Sequence, residues 1–109
     1  MPERNPLVAI GDTLTVKLPR DKSTQTRFGL QNIGGAVGLT NIIEGSMDNG
    51  VTWEPILAQP SVGGAATSAL NAVGSSIADT DGYTDARIRM TALTSGGPVQ
   101  ARIEVRDEG

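Results

Sequence analysis

The turn at residues 46–53 (SMDNGVTW) constrains the fold of this chain more than any other stretch. Asp48 and Asn49 can bond nearby backbone N–H groups and tolerate left-handed dihedral angles, and Gly50 takes a positive φ without steric cost. Trp53 is the only tryptophan and follows the turn as a large apolar anchor, which we expect in the core. The stretch therefore predicts a β-hairpin.

Alternation of apolar and polar residues predicts further strands. It is clearest in residues 87–92 and 99–106, which a Thr-Ser-Gly-Gly-Pro connection would join into a terminal antiparallel hairpin. The predicted strands cover residues 13–18, 24–31, 37–45, 51–56, 69–73, 87–92 and 99–106. About seven strands with closely spaced turn signals predict an all-β protein, an antiparallel β-sandwich of Ig-like or jelly-roll-like topology.

Two segments lack this alternation. Residues 1–6 contain two prolines and are predicted to form a flexible arm. Residues 57–78, rich in Ala, Gly and Ser, are predicted to form a long loop around the short strand named above, with a short helix at 65–72 as the alternative. One sandwich domain would then span residues 7–106, followed by a tail at 107–109.

The composition disfavours catalysis. Neither histidine nor cysteine is present, so the usual proton shuttle, thiolate nucleophile and transition-metal ligands are missing. A hairpin symmetric about Asn49 would place Glu44 opposite Glu54 at about the spacing of a retaining glycosidase. Aromatic residues make up only 3% of the chain, too few for a sugar cleft, so we interpret this pair as solvated or partner-facing. We predict a protein that is not an enzyme and has no cofactor.

Three acidic residues lie close together before a late strand. Asp79, Asp81 and Asp85 could offer oxygen ligands to Ca²⁺, which accepts carboxylates. The spacing does not meet that of an EF-hand loop, and a turn of Asp and Gly is the favoured interpretation. We predict no metal site, with these residues as the Ca²⁺ candidates.

The charges are divided along the chain. The net charge is -3, and no Lys or Arg occurs from residue 28 to residue 86. The folded protein either presents one acidic and one basic region or intermixes the two sets. The acidic balance and the lack of an aromatic platform disfavour nucleic-acid binding, and no apolar run approaches membrane-spanning length.

Arginines recur on the outward faces of the two last predicted strands. Arg87 and Arg89 on one strand and Arg102 and Arg106 on the next would form neighbouring rows, which are candidates for charged contacts with a partner. A core with few aromatic rings and no disulfides has a thin stability margin. Association with further copies would add stability, so we expect a homo-oligomer.

The turn matches the Asp-box pattern in its spelling. Ser46, Asp48, Gly50, Thr52 and Trp53 occupy the five defining positions of Ser-x-Asp-x-Gly-x-Thr-Trp, known from sialidase propellers and from many unrelated β-proteins. A propeller needs several four-stranded blades, which 109 residues cannot supply. The pattern therefore implies a stapled hairpin rather than a sialidase.

The chain also resembles small β-sandwich virion proteins of tailed bacteriophages. The resemblance rests on the turn with its Pro-containing exit at 42–55, a Tyr-x-x-x-Arg-x-Arg strand at 83–91, and a Thr-Ser-Gly turn at 94–97. It implies a capsid decoration or head-associated subunit, made in the host cytoplasm and assembled into the virion, that binds the major capsid protein or neighbouring subunits.

Two alternatives remain from the sequence. One is a tail or head-closure component. The other is a carbohydrate-binding module of a phage fibre or a secreted protein, which would stack sugars on Trp53 or Tyr83.

Overall fold

The structure, a computed structural model, describes residues 3–7, 9–19 and 24–107, without the side chains of residues 3–6 and 107. The described residues form strands β1 (Glu3–Leu7), β2 (Thr13–Lys17), β3 (Thr24–Asn32), β4 (Thr40–Ser46), β5 (Glu54–Pro55), β6 (Gln59–Pro60), β7 (Ala69–Leu70), β8 (Gly74–Asp79), β9 (Asp85–Ala92) and β10 (Val99–Asp107). Within these ranges there is no helix long and apolar enough to cross a membrane.

The strands form two antiparallel sheets that enclose one core. The first sheet has the order β1-β10-β3-β8-β6, and the second has the order β2-β9-β4-β5 with β7 also paired to β4. The predicted all-β antiparallel sandwich is confirmed. The strands outnumber the prediction because β1, β6 and β8 lie in segments that were predicted to be an arm or a loop.

The strands pair from the two ends of the sequence inward. β1 pairs with β10, β2 with β9, β3 with β8 and β4 with β7. The first four strands alternate between the two sheets. A long hairpin rolled over itself produces this nesting, which is the connectivity of a jelly roll. Of the two topologies expected, the structure has the jelly-roll-like one.

The core is aliphatic apart from one ring. Phe28 and Leu30 share the buried face of β3 and are at most 2% exposed. The other large apolar side chains with less than 2% exposure are Leu7, Ile43, Ile88, Met90, Val99 and Ile103. Both sheets contribute to this set, so the alternation seen in the sequence marks the inward face of each strand.

Residues 3–6, predicted to be an arm, belong to strand β1. Glu3 pairs with Ile103 and Leu7 with Val99, and Leu7 is fully buried. The prediction is wrong for residues 3–6 because Pro6 lies on the edge strand of the first sheet, where a missing N–H can be tolerated. Residues 1 and 2 lie outside the described residues.

The predicted loop at 57–78 contains β6, β7 and nearly all of β8. The prediction failed for β8 because this strand turns small residues inward: Ser76 and Ala78 are 3% and 4% exposed, while Ile77 is only half-buried. The strand expected at 69–73 is shorter, Ala69–Leu70, and the alternative helix is absent from this described stretch. The tail was predicted to begin one residue too early, since β10 includes Asp107; residues 108 and 109 lie outside the description.

The predicted terminal hairpin of β9 and β10 does not form, because the two strands lie in different sheets. Their connection crosses the end of the sandwich and bonds to the β3–β4 connection. The Val37 N–H donates to the Ser95 carbonyl at 2.8 Å, and the Gly97 N–H donates to the Gly34 carbonyl at 2.9 Å. Alternation shows which face of a strand is buried. It does not show which sheet the strand belongs to, because both sheets bury a face against the same core.

Candidate functional site

The turn between β4 and β5 is held by its own side chains. Ser46 Oγ accepts the Gly50 N–H at 2.8 Å and donates to Asp48 at 2.7 Å. The Asp48 carboxylate accepts the Thr52 N–H at 2.9 Å and the Thr52 hydroxyl at 2.6 Å. These bonds, first that of the Thr52 hydroxyl, lower the pKa of Asp48 to about 2. Trp53 Nε1 donates to the Gly50 carbonyl at 3.1 Å, which closes the turn.

The same turn is tied to the neighbouring β8–β9 turn. Asn49 and Gly50 have positive φ values of 61° and 88°. The Asn49 N–H donates to Thr84 Oγ1 at 2.9 Å, and the Thr84 N–H donates to the Ser46 carbonyl at 2.7 Å. The two turns therefore form one hydrogen-bonded unit at one end of the sandwich.

A cluster of four side chains, which we name the Glu44 cluster, lies on the outer face of the second sheet. Arg87 Nε and Arg89 Nε each donate to Glu44 Oε1 at 2.9 Å, and Arg89 also reaches the second oxygen at 3.2 Å. The Arg87 guanidinium carbon lies 4.0 Å from the centre of the Trp53 ring, a cation–π contact. Burial raises the pKa of Glu44, but the bonds from Arg89 and Arg87 outweigh it and leave that pKa lowered.

Two predictions change at this cluster. Trp53, expected in the core, is half-buried on the outer face, because the hairpin register brings it over Arg87 rather than between the sheets. The arginine rows are not neighbours either. Arg102 and Arg106 lie on β10 in the first sheet, where they flank Glu104 at 3.5 and 3.6 Å, away from the Glu44 cluster.

Acidic and basic side chains are intermixed in the contacts of the described residues. Glu44 comes from the stretch without basic residues and binds two arginines of β9. Lys17 Nζ lies 3.0 Å from Asp85, which is buried. Of the two charge distributions left open by the sequence, these contacts favour the intermixed one.

Glu44 and Glu54 do not face each other, which corrects the assumed hairpin register. Glu44 pairs with Pro55 and Gly45 with Glu54, one residue from the symmetric arrangement. Successive residues of a strand point to opposite faces, so the two carboxylates lie on opposite faces of the sheet. Glu54 instead accepts the Tyr83 hydroxyl at 3.0 Å, and burial followed by this bond raises the pKa of Tyr83.

The three Ca²⁺ candidates are engaged in local structure. Asp79 accepts the Asp81 N–H at 3.0 Å, and Asp81 accepts the Thr24 N–H at 2.6 Å. Asp85 is paired with Lys17. Among the described residues, no group of three acidic, histidine or cysteine side chains is placed to hold a metal ion. The structure gives these aspartates the role of turn and strand partners.

Sequence reasoning missed a surface cavity of about 190 Å³. Residues 60–62, 67 and 69–76 line it, at the edge where β6, β7 and β8 meet. The one sequence feature of this region is a run of uncharged residues from 55 to 78, which predicts a long loop with a short strand but no cavity.

No family model, curated protein or solved structure matches this chain. The fold and the surfaces described above are therefore the basis for a proposed function.

Proposed function

We propose that this chain is a structural subunit of a tailed-bacteriophage virion, a capsid decoration or head-associated protein that acts by protein–protein binding. The nested strand order of a jelly roll carries the proposal, because viral capsid domains commonly have this architecture. The resemblance of residues 42–55, 83–91 and 94–97 to phage virion proteins points the same way.

Three carboxylates of the described residues are engaged in structural contacts, which supports binding rather than chemistry. Glu44 is held by two arginines, Asp48 by Thr52, and Asp85 by Lys17. A general acid or base needs a proton-accepting atom that a substrate can reach. These carboxylates are instead committed to structural contacts.

The carbohydrate-binding alternative receives less support. Jelly rolls also occur in lectins, which bind sugars. However, one face of the Trp53 ring is covered by the Arg87 guanidinium, and the Tyr83 hydroxyl is bonded to Glu54. A sugar would have to stack on the remaining ring surface or displace these contacts.

Reconstitution on capsids tests the proposed function. Capsids of the phage that encodes this chain, prepared from a mutant lacking its gene, are mixed with purified protein and sedimented. The protein should co-sediment and add density at regular positions on the shell in electron microscopy. Shells that stay bare while the protein remains in the supernatant would contradict the proposal, and rings or tubes of the protein alone would favour the tail or head-closure alternative.

The arginines of the first sheet can be tested in the same assay. Arg106 is mostly exposed and lies on the outer face of β10. If this face docks on the shell, Arg106→Gln should weaken co-sedimentation and make it less sensitive to salt. Met47→Glu is the matched control, since it also lowers the net charge by one at an exposed position. Equal binding by both variants would exclude Arg106 from the contact.

A further inference from the structure

One end of the sandwich is formed almost entirely by uncharged residues. Three runs of sequence contain no Lys, Arg, Asp or Glu: residues 28–43, 55–78 and 90–101. The jelly-roll topology brings their connections together, because Gly74 pairs with Leu30, Leu70 pairs with Asn41, and Val37 bonds to Ser95. We name residues 9–11, 33–39, 61–66, 71–73 and 93–98 the uncharged end.

Large aliphatic side chains are exposed on this end. Val62 is 93% exposed, Ile10 63%, Val73 60% and Val37 56%. The charged residue at its margin, Asp12, accepts the Ala9 N–H at 3.0 Å within its own turn. Val62 and Val73 line the same cavity, and a contiguous apolar patch on a protein surface marks an interaction site.

The uncharged end is large enough for a stable interface. The molecule measures 41 × 30 × 24 Å. A nine-residue strand spans about 30 Å before its end connections are added, whereas five paired strands span only about 19 Å across, so the long axis runs along the strands. The end then presents a cross-section of at most 30 × 24 Å, a projected area of the same order as the ~800 Å² of accessible surface that each partner buries in a standard interface.

The uncharged end also carries a protrusion beside a recess. Val62 projects at the rim of the cavity of about 190 Å³, whose lining includes Val73 and Leu70. A cavity of about 150 Å³ is known to hold a benzene molecule, so this one has room for a single aliphatic side chain. A patch that contains both parts can pair with itself across a two-fold axis.

We propose that the uncharged end is a self-association surface, on which a second copy of this chain docks about a two-fold axis and places its Val62 in the cavity. A charged partner would leave its own charges buried without counter-charges, which is costly. A second copy offers an uncharged surface of equal size. The proposal does not depend on the virion role.

Sedimentation of the purified chain over a range of concentrations tests this proposal. Wild type should form a dimer, and Val62→Asp and Val73→Asp should shift the dimer to monomer at the same concentration. Met47→Asp and Val51→Asp are the matched controls, because they add the same charge at exposed sites near the other end, 62% and 77% exposed. Circular dichroism and thermal melts establish that each variant is folded.

The outcomes separate the possible partners. A wild type that stays monomeric, an oligomer of another order, or a dimer that the Met47 and Val51 variants dissociate equally would each overturn the proposal. If wild type is monomeric and its Val62 and Val73 variants no longer bind the shell, the uncharged end is assigned to the shell instead. A dimer that breaks as expected supports the proposal even if the protein never binds a capsid.

Discussion

At the scale of single residues, Asp48 couples the turn at 46–53 to pH. Its carboxylate is exposed but accepts bonds from Ser46 and Thr52, which lower its pKa from 3.8 to about 2. Because the folded pKa lies below the unfolded one, its stabilising contribution is complete above pH 3.8 and is lost as the pH falls towards 2. An NMR titration of the Asp48 carboxyl carbon should show this depressed pKa.

Removal of the Thr52 hydroxyl tests whether its hydrogen bond lowers the pKa of Asp48. Thr52→Val should raise the pKa of Asp48 towards its ordinary value, since the hydroxyl bond is the largest contribution. Thr91→Val is the control, because its hydroxyl bonds the distant Thr40 carbonyl and should leave the titration unchanged. A wild-type Asp48 that titrates near 3.8 would show that the turn is not held in this way.

Ser46 also bears on the chemical stability of the Asn49 side-chain amide. Deamidation requires the Gly50 nitrogen to lose its proton and attack the Asn49 side-chain carbonyl, which expels ammonia and forms a succinimide that water opens. In the folded turn the Gly50 N–H is bonded to Ser46 Oγ at 2.8 Å. We expect Ser46→Ala to deamidate faster than wild type.

Mass spectrometry of aged samples measures this rate. Thr52→Val serves as the control, because it leaves the Gly50 N–H bond in place. The rates of wild type and Ser46→Ala should converge in denaturant, where the turn is lost. Equal rates in the folded proteins would mean that this hydrogen bond gives no protection.

At the scale of strands, Glu44 fastens β4 to β9 on the outer face of the second sheet. Glu44→Ala would leave the Arg87 and Arg89 side chains without their acceptor, and we expect the free energy of unfolding to fall by about 1–3 kcal/mol. Glu44→Gln keeps one acceptor oxygen and should cost less. Glu54→Ala, at an exposed site, should stay within about 0.5 kcal/mol in the same denaturant titration. Equal losses for all three would contradict the assigned role of Glu44.

The start of β3 is joined to the residue after β8 by buried hydroxyls. The Thr80 oxygen lies 2.6 Å from that of Thr24 and 2.9 Å from that of Thr26, all three buried. Thr80→Val should lower the free energy of unfolding by about 1–3 kcal/mol, because two buried hydroxyls lose their partner. The triple Val variant removes every member and should be no less stable than Thr80→Val. A triple variant with much larger, additive losses would show that the hydroxyls act independently.

The strands differ in how far the sequence predicts them. The positions of β2, β3, β9 and β10 were predictable because aliphatic residues alternate with polar ones along them. β8 was not, because its inward side chains are small and its one large aliphatic residue, Ile77, faces outward.

The candidate site shows the same division between local and distant information. The turn bonds of Ser46, Asp48 and Thr52 follow from a local pattern, so the sequence predicts a hairpin there. The Glu44 cluster joins residues more than forty positions apart. Which residues the cluster contains depends on the pairing of β4 with β9, and local alternation does not predict that pairing.

At the scale of the whole molecule, the nested topology joins strands from opposite ends of the described sequence. The first described strand pairs with the last, and Leu7 is fully buried against the core. Contacts between the ends of a chain join residues that are far apart in sequence, so they cannot be inferred from local composition. This is why a segment with two prolines was predicted to be an arm although residues 3–7 complete a sheet.

Truncation distinguishes an arm from a strand. A chain that lacks residues 1–7 loses the burial of Leu7, which contributes about 1.5–3 kcal/mol, and the backbone pairs of β1. It also leaves the nine-residue strand β10 as an open edge, which invites aggregation. We expect a lower midpoint of denaturant unfolding and association that grows with concentration. A chain that lacks only residues 1 and 2 keeps all of β1 and is the control. If both truncated chains unfold at the same denaturant concentration as the full chain, β1 adds no stability and the segment behaves as an arm.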